Sequence, residues 1–525
     1  MQGPMNRIAS REHCFSPAVT SIICTAVLLL SACAAPLKPQ PQPESFFLSA
    51  DPVAAAWEPL YNNLPADGGT SWFDIQNVGP DALRWRLALI DTATISIDAQ
   101  YFIWDDDAVG SLLLGRVLQA ADRGVRVRLL IDDSFLSGED VVMLAADAHP
   151  NIEMRIFNPF QLRSSSMPVR FIENLNDFER TNHRMHNKLL ISDGAAAIVG
   201  GRNIASEYFG FNRELNFRTF DVLTTGKVMP EISAAFDVYW NSGWAFPITS
   251  VEHKQANEED LLQLRQDLRT NAAVLDTWLA ASDTDPQNWP ERWAELARTM
   301  LPGEARILQD NPHFEGGTPP VQAADHIREI FSKSSEEVMS VSAYLVPSEG
   351  LLQIARELSA RGVQVRALTN SLASNNHISA HTAYRHRRRQ MLEADIELYE
   401  LRPDATERTH IEAPGFTASK IGLHAKILVL DKRLVFVGTI NTDPRSMTLN
   451  TEVSLMVDSP ELAAGILTAF ADDFSPDNSW HVELNEAGDL IWHSRDGVLT
   501  RQPAGGFGRR VADFFYGLFP IDSQM

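Results

Sequence analysis

From residue 95 to residue 101 apolar and polar side chains alternate, with Ile95, Ile97, Ala99 and Tyr101 separated by Ser96, Asp98 and Gln100. A period of two puts the apolar set on one face of a β-strand. The spacing turns helical over 112–121, and Arg123-Gly124 supplies the cation and the glycine with which helices commonly stop. A β-rich run then fills 125–131. Strand, helix and strand in this order predict a βαβ unit. The same pattern returns further on: a strand over 338–344, a helix over 351–359, Arg361-Gly362 as the stop, and a strand over 363–368. Gly362 follows Gly124 at an offset of 238 (362 − 124). The chain is therefore expected to be α/β, built as two similar domains related by internal duplication.

The remaining stretches divide the chain further. Arg7 and Arg11 precede an apolar run over 19–30, which ends in Leu30-Ser31-Ala32-Cys33. A basic start, a short apolar core and small residues at the break predict a secretory signal over 1–33. The run falls short of the roughly 20 apolar residues of a spanning helix. Leu-Ser-Ala-Cys resembles the bacterial lipobox, which implies that Cys33 is lipidated. Ala34 stands where aspartate favours inner-membrane retention, so a periplasm-facing outer-membrane lipoprotein is the implied location. Residues 34–75 then read as a Pro-rich tether and lead-in. The first α/β domain is placed at 76–250 and the second at 316–480, with a helical connector containing Trp278, Trp289 and Trp293 at 251–315. The tail, 481–525, carries aromatic residues beside Arg509 and Arg510 and reads as an interfacial helix or a packed one. All three cysteines (14, 24 and 33) lie in the leader, so no disulfide braces the domains.

Charge narrows the chemistry. The net charge is −23 and the pI about 5.0, a balance that argues against nucleic acid as the partner. Against this background one short pattern occurs twice. His186, Lys188 and Asp193 recur as His424, Lys426 and Asp431, again 238 positions on (424 − 186). Gly200 and Asn203 follow the first copy, and Gly438 and Asn441 the second. On a strand, a lysine two positions after a histidine points the same way. Imidazole can attack phosphorus or carry a proton near neutral pH. Two such strands would close one shared site around a phosphate.

These residues resemble the paired HxK(x)4D motifs of the phospholipase D superfamily. Residues 182–188, 199–203, 422–426 and 443–446, with 449–452 behind them, are similar to bacterial cardiolipin synthases of the C type. Two positions depart from the usual pattern: Gly201 and Thr439 stand where serine is common. The resemblance covers the chain from about Tyr101 onward and implies two phospholipase D-like α/β sandwich domains. It implies a double displacement with His186 as nucleophile and His424 as acid/base. Lys188 and Lys426, with Asn203 and Asn441, would hold the non-bridging oxygens. Glu452 and Asp221, downstream of the asparagines, would fix the histidine tautomers. Asp193 and Asp431 are expected to be structural. Two lysines make a metal unnecessary, and no cofactor is expected. His377 and His381 have the spacing of a helical metal pair, but the arginines at 385 and 387–389 would repel a cation, so that stretch reads as a basic helix, either near headgroups or as a plain solvated face.

The expected function is a phosphatidyltransferase forming cardiolipin from phosphatidylglycerol and a second phospholipid such as phosphatidylethanolamine, at a membrane surface reached through the lipid anchor. The rivals are a phospholipase D hydrolase, a nucleic-acid phosphodiesterase and an inactive lipid-binding lipoprotein.

Overall fold

In the computed structural model the repeated pattern becomes two sheets with one strand order. The structure describes residues 37–49, 55–65, 70–136, 140–164, 167–252, 254–312 and 323–517; the leader and Cys33 lie outside the described residues. The first half contains β1 (Ser71–Gln76), β2 (Ser96–Tyr101), β3 (Arg126–Asp132), β4 (Ile152–Phe157), β5 (Leu189–Ser192), β6 (Ala196–Gly200), β7 (Leu215–Arg218), β8 (Asp221–Gly226) and β9 (Ala245–Pro247). All but β7 join one sheet in the order β1-β8-β6-β5-β2-β3-β4-β9, parallel only across β2-β3-β4. The helix Ala108–Asp122 makes the parallel crossover from β2 to β3. Its Asp107 cap accepts from the Val109 and Gly110 amides, and its apolar face closes the core beneath the sheet.

The second half copies this plan with β10 (Leu301–Gln309), β11 (Glu337–Ser342), β12 (Gln364–Asn370), β13 (Ile396–Leu401), β14 (Lys420–Leu423), β15 (Lys426–Leu430), β16 (Leu434–Gly438), β17 (Val453–Asp458) and β18 (Ser479–Leu484). The order is β10-β17-β16-β15-β11-β12-β13-β18. The helix Glu349–Ala360 is its crossover, and β19 (Leu490–Ser494) and β20 (Gly497–Leu499) extend the edge. The halves are joined in two places. Strand β10 pairs with β1 through Leu301–Gly303 and with β17 from Glu304 onward. Strands β7 and β14, one from each half, form a parallel pair between the sheets. A single apolar cluster runs across the seam from Phe220 and Val222 to Ile421, Leu423 and Leu455.

Three boundaries differ from the sequence reading. The second sheet begins at Leu301, inside the expected connector, because β10 is an edge strand whose Pro302, Gly303, Glu304 and Arg306 blur the alternation. Strand β18 straddles the expected start of the tail. The expected tether is a packed strap from Gln40 on. Gln40 N donates to Gly243 O, and the carbonyls of Pro43 and Ser45 accept from the buried Arg155 and Arg128. Buried guanidiniums need acceptors, and this strap supplies them. The connector helices Glu258–Ala272 and Trp289–Thr299 lie against the first half, where Trp293 meets Trp57 and Trp85 and donates to Thr92.

Candidate active site

Each His-x-Lys segment runs straight into a hairpin. After Lys188 the chain forms β5, turns at Asp193 and Gly194 with φ of +53° and +60°, and returns as β6. Strand β15 turns at Asp431 and Lys432, both at φ +52°, into β16. Two successive left-handed residues give the turn whose twist suits a hairpin. The motif aspartates act at these turns. Asp193 accepts from Trp57 Nε1 at 2.9 Å and from the Thr94, Ile95 and Ser96 amides at 2.8–2.9 Å. Asp431 accepts from the Ser335, Glu336 and Glu337 amides. Each pins the start of the neighbouring β2 or β11 strand, and neither lines the catalytic cavity.

That cavity, of about 460 Å³, opens where β6 and β16 end. His186, Asn203, His424 and Asn441 all line it, with Phe102, Tyr208 and Tyr344 as aromatic walls. Lys188 and Lys426 sit beneath the histidines, each Nζ donating to the carbonyl of its own histidine at 2.6 and 2.7 Å. Each histidine is held by the opposite half. The His186 amide donates to Thr451 O and the His424 amide to Arg218 O, at 2.9 and 2.8 Å. The seam is tight at Gly201, where a Cβ would meet His424 O at 3.1 Å and Thr219 Oγ1 at 3.2 Å. That approach explains the glycine at a position where serine is usual. Thr439 uses its hydroxyl as a clasp to β17, accepting from Val453 N and donating to Val453 O.

The near-symmetry of the sequence breaks at the histidine partners. His186 Nδ1 meets both carboxylate oxygens of Glu452, at 2.9 and 3.1 Å, across the seam. Behind it the Glu452 amide donates to Asp310. Asp221, the expected counterpart, does not reach His424. Its carboxylate instead binds the buried Arg86 and Arg202 at 2.8 and 3.0 Å and the Arg202 amide at 3.0 Å. Two buried guanidiniums beside one carboxylate leave it no reason to face an imidazole. His424 Nδ1 faces Gly201 O at 3.1 Å and Lys426 Nζ at 2.9 Å. Aromatic rings fix both imidazoles: Phe102 lies edge-on to His186 at 5.0 Å, and Tyr208 edge-on to His424 at 5.0 Å. Tyr208 OH also accepts from Asn203 Nδ2 at 3.0 Å, while the Ile103 amide donates to Asn203 Oδ1. Asn441 Oδ1 is buried without a hydrogen-bond partner among the described residues.

Burial is the main force on every titrating group here. It holds both imidazoles well below their usual range, helped by the two lysines. It pulls Lys188 down to about 7 and Lys426 well below the usual ammonium range. It lifts Glu452 to about 7, against the attraction of Lys188. Two buried lysines favour an anion here, since a phosphodiester would stabilise the positive charge that burial disfavours. The arrangement can therefore seat a phosphate between two imidazoles, one backed by a carboxylate and one by a carbonyl.

Sequence reasoning did not pick out Phe102, Tyr208 or Tyr344, which no motif marks. Arg184 and Arg445 line the cavity and lie in the stretches that carry the family resemblance. The basic helix is Ile378–Glu393. His377 lines the cavity beside it, whereas His381 is buried against Gln502 and Arg388, so the two do not act as a pair.

Comparison with known proteins agrees with this geometry. The family model "Cardiolipin synthase, PLD-like domain" matches residues 87–240 and 327–474, one copy on each half. Cardiolipin synthase C of Escherichia coli (strain K12) is 33% identical over 479 residues, covering 90% of this chain and 99% of that protein. Cardiolipin synthase of Staphylococcus aureus (strain N315) is 22% identical over 418 residues, 79% of this chain and 70% of that one. Among solved structures, phosphatidylserine synthase of Haemophilus influenzae Rd KW20 superposes with a TM-score of 0.51 at 14% identity, over 80% of this chain and 90% of that one; it shows the shared fold. The chain belongs to the phospholipase D superfamily, within its cardiolipin synthase-like family.

Proposed function

We propose that this enzyme is a phosphatidyltransferase that makes cardiolipin. The observation that carries the reading is the unequal support of two histidines in one cavity. His186, with Nδ1 on Glu452, has a carboxylate to balance the positive ring formed when Nε2 attacks phosphorus. The bond to the departing headgroup alcohol breaks, and His424 gives that oxygen a proton. The free hydroxyl of phosphatidylglycerol then yields its proton to His424 and attacks phosphorus, and the N–P bond breaks. Gly201 O can accept from His424 Nδ1–H in both the charged and the neutral ring, which leaves Nε2 to give and take the proton, and Lys426 Nζ lies 2.9 Å from the same Nδ1. Lys188 and Lys426 supply charge beneath the phosphate, and Asn203 and Asn441 supply amide donors beside it. A phosphatidyl group from phosphatidylglycerol or phosphatidylethanolamine suits this cavity, and the segment ending in Cys33 favours a lipoprotein on the periplasmic side of the outer membrane.

The test is lipid analysis of a host lacking cardiolipin that expresses the chain, alongside His186→Ala and His424→Ala. Cardiolipin formed by the parent and lost in both variants supports the transferase. Phosphatidic acid in its place makes the enzyme a hydrolase, and an unchanged lipid profile overturns both.

A further inference from the structure

Two segments of this protein are folded inside out. In an ordinary surface helix the apolar stripe faces the core and the polar face meets water. Along 169–181 the pattern is reversed: Arg170, Asn174, Asp177 and Thr181 are buried, whereas Val169, Ile172, Leu175 and Phe178 are 44–53% exposed. Two of the inward polar groups are tied to the body. Arg170 pairs with the buried Asp133 at 3.2 Å, and Asn174 Oδ1 accepts from the Gln161 and Leu162 amides. The apolar residues are thus presented outward on a fixed support. The C-terminal helix Phe507–Tyr516 repeats the inversion. Asp513 is buried, receiving Thr382 Oγ1 at 2.8 Å and Gln502 Nε2 at 2.9 Å, while Phe507, Phe514 and Phe515 are 57–82% exposed.

The first segment reaches the catalytic cavity directly, and the second packs on a helix whose Ser379 and Ala380 line it. Thr181, which ends the first, lines it; so does the half-exposed Phe135, whose ring packs on Phe102, itself against His186. The C-terminal helix packs along Ile378–Glu393, and Arg509 Nε donates to Leu372 O just before Asn376 and His377 enter the cavity lining. Arg509 and Arg510 stand beside the exposed rings, and Arg387 and Arg389 on the adjoining helix add positive charge to a chain of net charge −23. The strap comes near the first of these segments. Gln40 is fixed at Gly243, next to Trp244, over whose ring Arg180 of the first segment lies at 5.7 Å. Cys33 lies seven positions before Gln40 (40 − 33), a reach of about 25 Å.

We propose that these two inverted segments form a face that rests on an anionic phospholipid bilayer, with the cavity mouth between them. The reach from Cys33 rests on the lipoprotein reading; the inversion of the two segments does not. Unpartnered apolar side chains enter the acyl boundary, the flanking arginines meet lipid phosphates, and the substrate headgroup passes into the cavity without leaving the interface. Such a face also keeps bulk water from the mouth, the condition that favours an alcohol acceptor over hydrolysis.

The full-length protein, bound to vesicles of phosphatidylglycerol and phosphatidylethanolamine, is compared with Phe178→Trp, Phe515→Trp and Leu262→Trp forms using lipids brominated on the acyl chains. The added fluorescence at 178 and 515 should be quenched, and that at the exposed Leu262 on the connector helix should not. Leu175→Ser/Phe178→Ser and Phe514→Ser/Phe515→Ser should each lower turnover on vesicles about tenfold, with a monomeric short-chain substrate turned over within about twofold of the parent. Vesicle-bound protein without quenching at 178 and 515 overturns the proposal. Because quenching requires no turnover, its outcome stands apart from that of the transferase reading.

Discussion

Replacing Glu452 by glutamine keeps the shape of the side chain and removes its charge. The carboxylate lies 2.9 Å from His186 Nδ1 and is fully buried. As Nε2 bonds to phosphorus the ring becomes positive. A unit charge about 4 Å away, at the effective dielectric of about 20 that suits protein sites, stabilises it by about 4 kcal/mol. A glutamine amide returns about 1 kcal/mol through its hydrogen bond, leaving a loss of about 3 kcal/mol, or roughly 100- to 200-fold in the rate of the first step. Folding should not suffer. Burial already lifts Glu452 to about 7, so the native state disfavours this charge at pH above 7, and a neutral amide costs no stability there. Asp221→Asn should do the reverse. It leaves Arg86 and Arg202, each about 1% exposed, without their shared carboxylate. Breaking a buried pair in this way costs about 3–5 kcal/mol. Urea unfolding and single-turnover release of the headgroup alcohol, measured on both variants, separate the two effects. An Asp221→Asn protein as stable as the parent but as inactive as Glu452→Gln would refute the asymmetry of the site, as would Glu452→Gln at near-parental activity.

Further outcomes follow from the same geometry. Burial pulls Lys188 down to about 7, and a bound anion must raise it. Binding of dimethyl phosphate, whose own charge does not change near neutrality, should be tighter below about pH 7 than above it. It should weaken by up to tenfold per pH unit above that, which calorimetry in buffers of different ionisation heat will show as proton uptake. Asp193→Ala should cost more stability than Asp431→Ala, since Asp193 is wholly buried and also takes the Trp57 indole. Denaturant midpoints compare them. Tyr208→Phe removes the hydroxyl that accepts from Asn203 and should lower kcat about tenfold with little change in stability, and an equal fall in both would make Tyr208 a packing residue instead.

Much of this architecture was legible because it was written twice. The crossover helices and their flanking strands fall within a few residues of the alternating and helical patterns, and one offset of 238 links the halves. The paired histidines, lysines and asparagines gather as the motif spacing implied. What stayed hidden depends on distant partners. Nothing near Asp221 in the sequence tells that Arg86, 135 positions earlier, will take its carboxylate. Nor does spacing tell that Glu452 serves the histidine of the other half. Strand β10 escaped because an edge strand need not alternate cleanly, and the strap escaped because proline-rich sequence says nothing of the buried Arg128 and Arg155 that bind its carbonyls. Over 169–181 the spacing gives an apolar stripe but not the side that faces the core.

The central claim is that His186 carries the phosphatidyl group and His424 moves the protons. It is tested most directly with His424→Ala and a phosphatidyl p-nitrophenyl ester, whose leaving group needs no proton. The first displacement should then proceed without His424, and the second should stall for want of a base. The account predicts a burst of one equivalent of nitrophenol and, by mass spectrometry of the quenched protein, a phosphatidyl adduct on His186. An adduct on His424 in the reciprocal His186→Ala protein, or a burst with no adduct on either histidine, would contradict it.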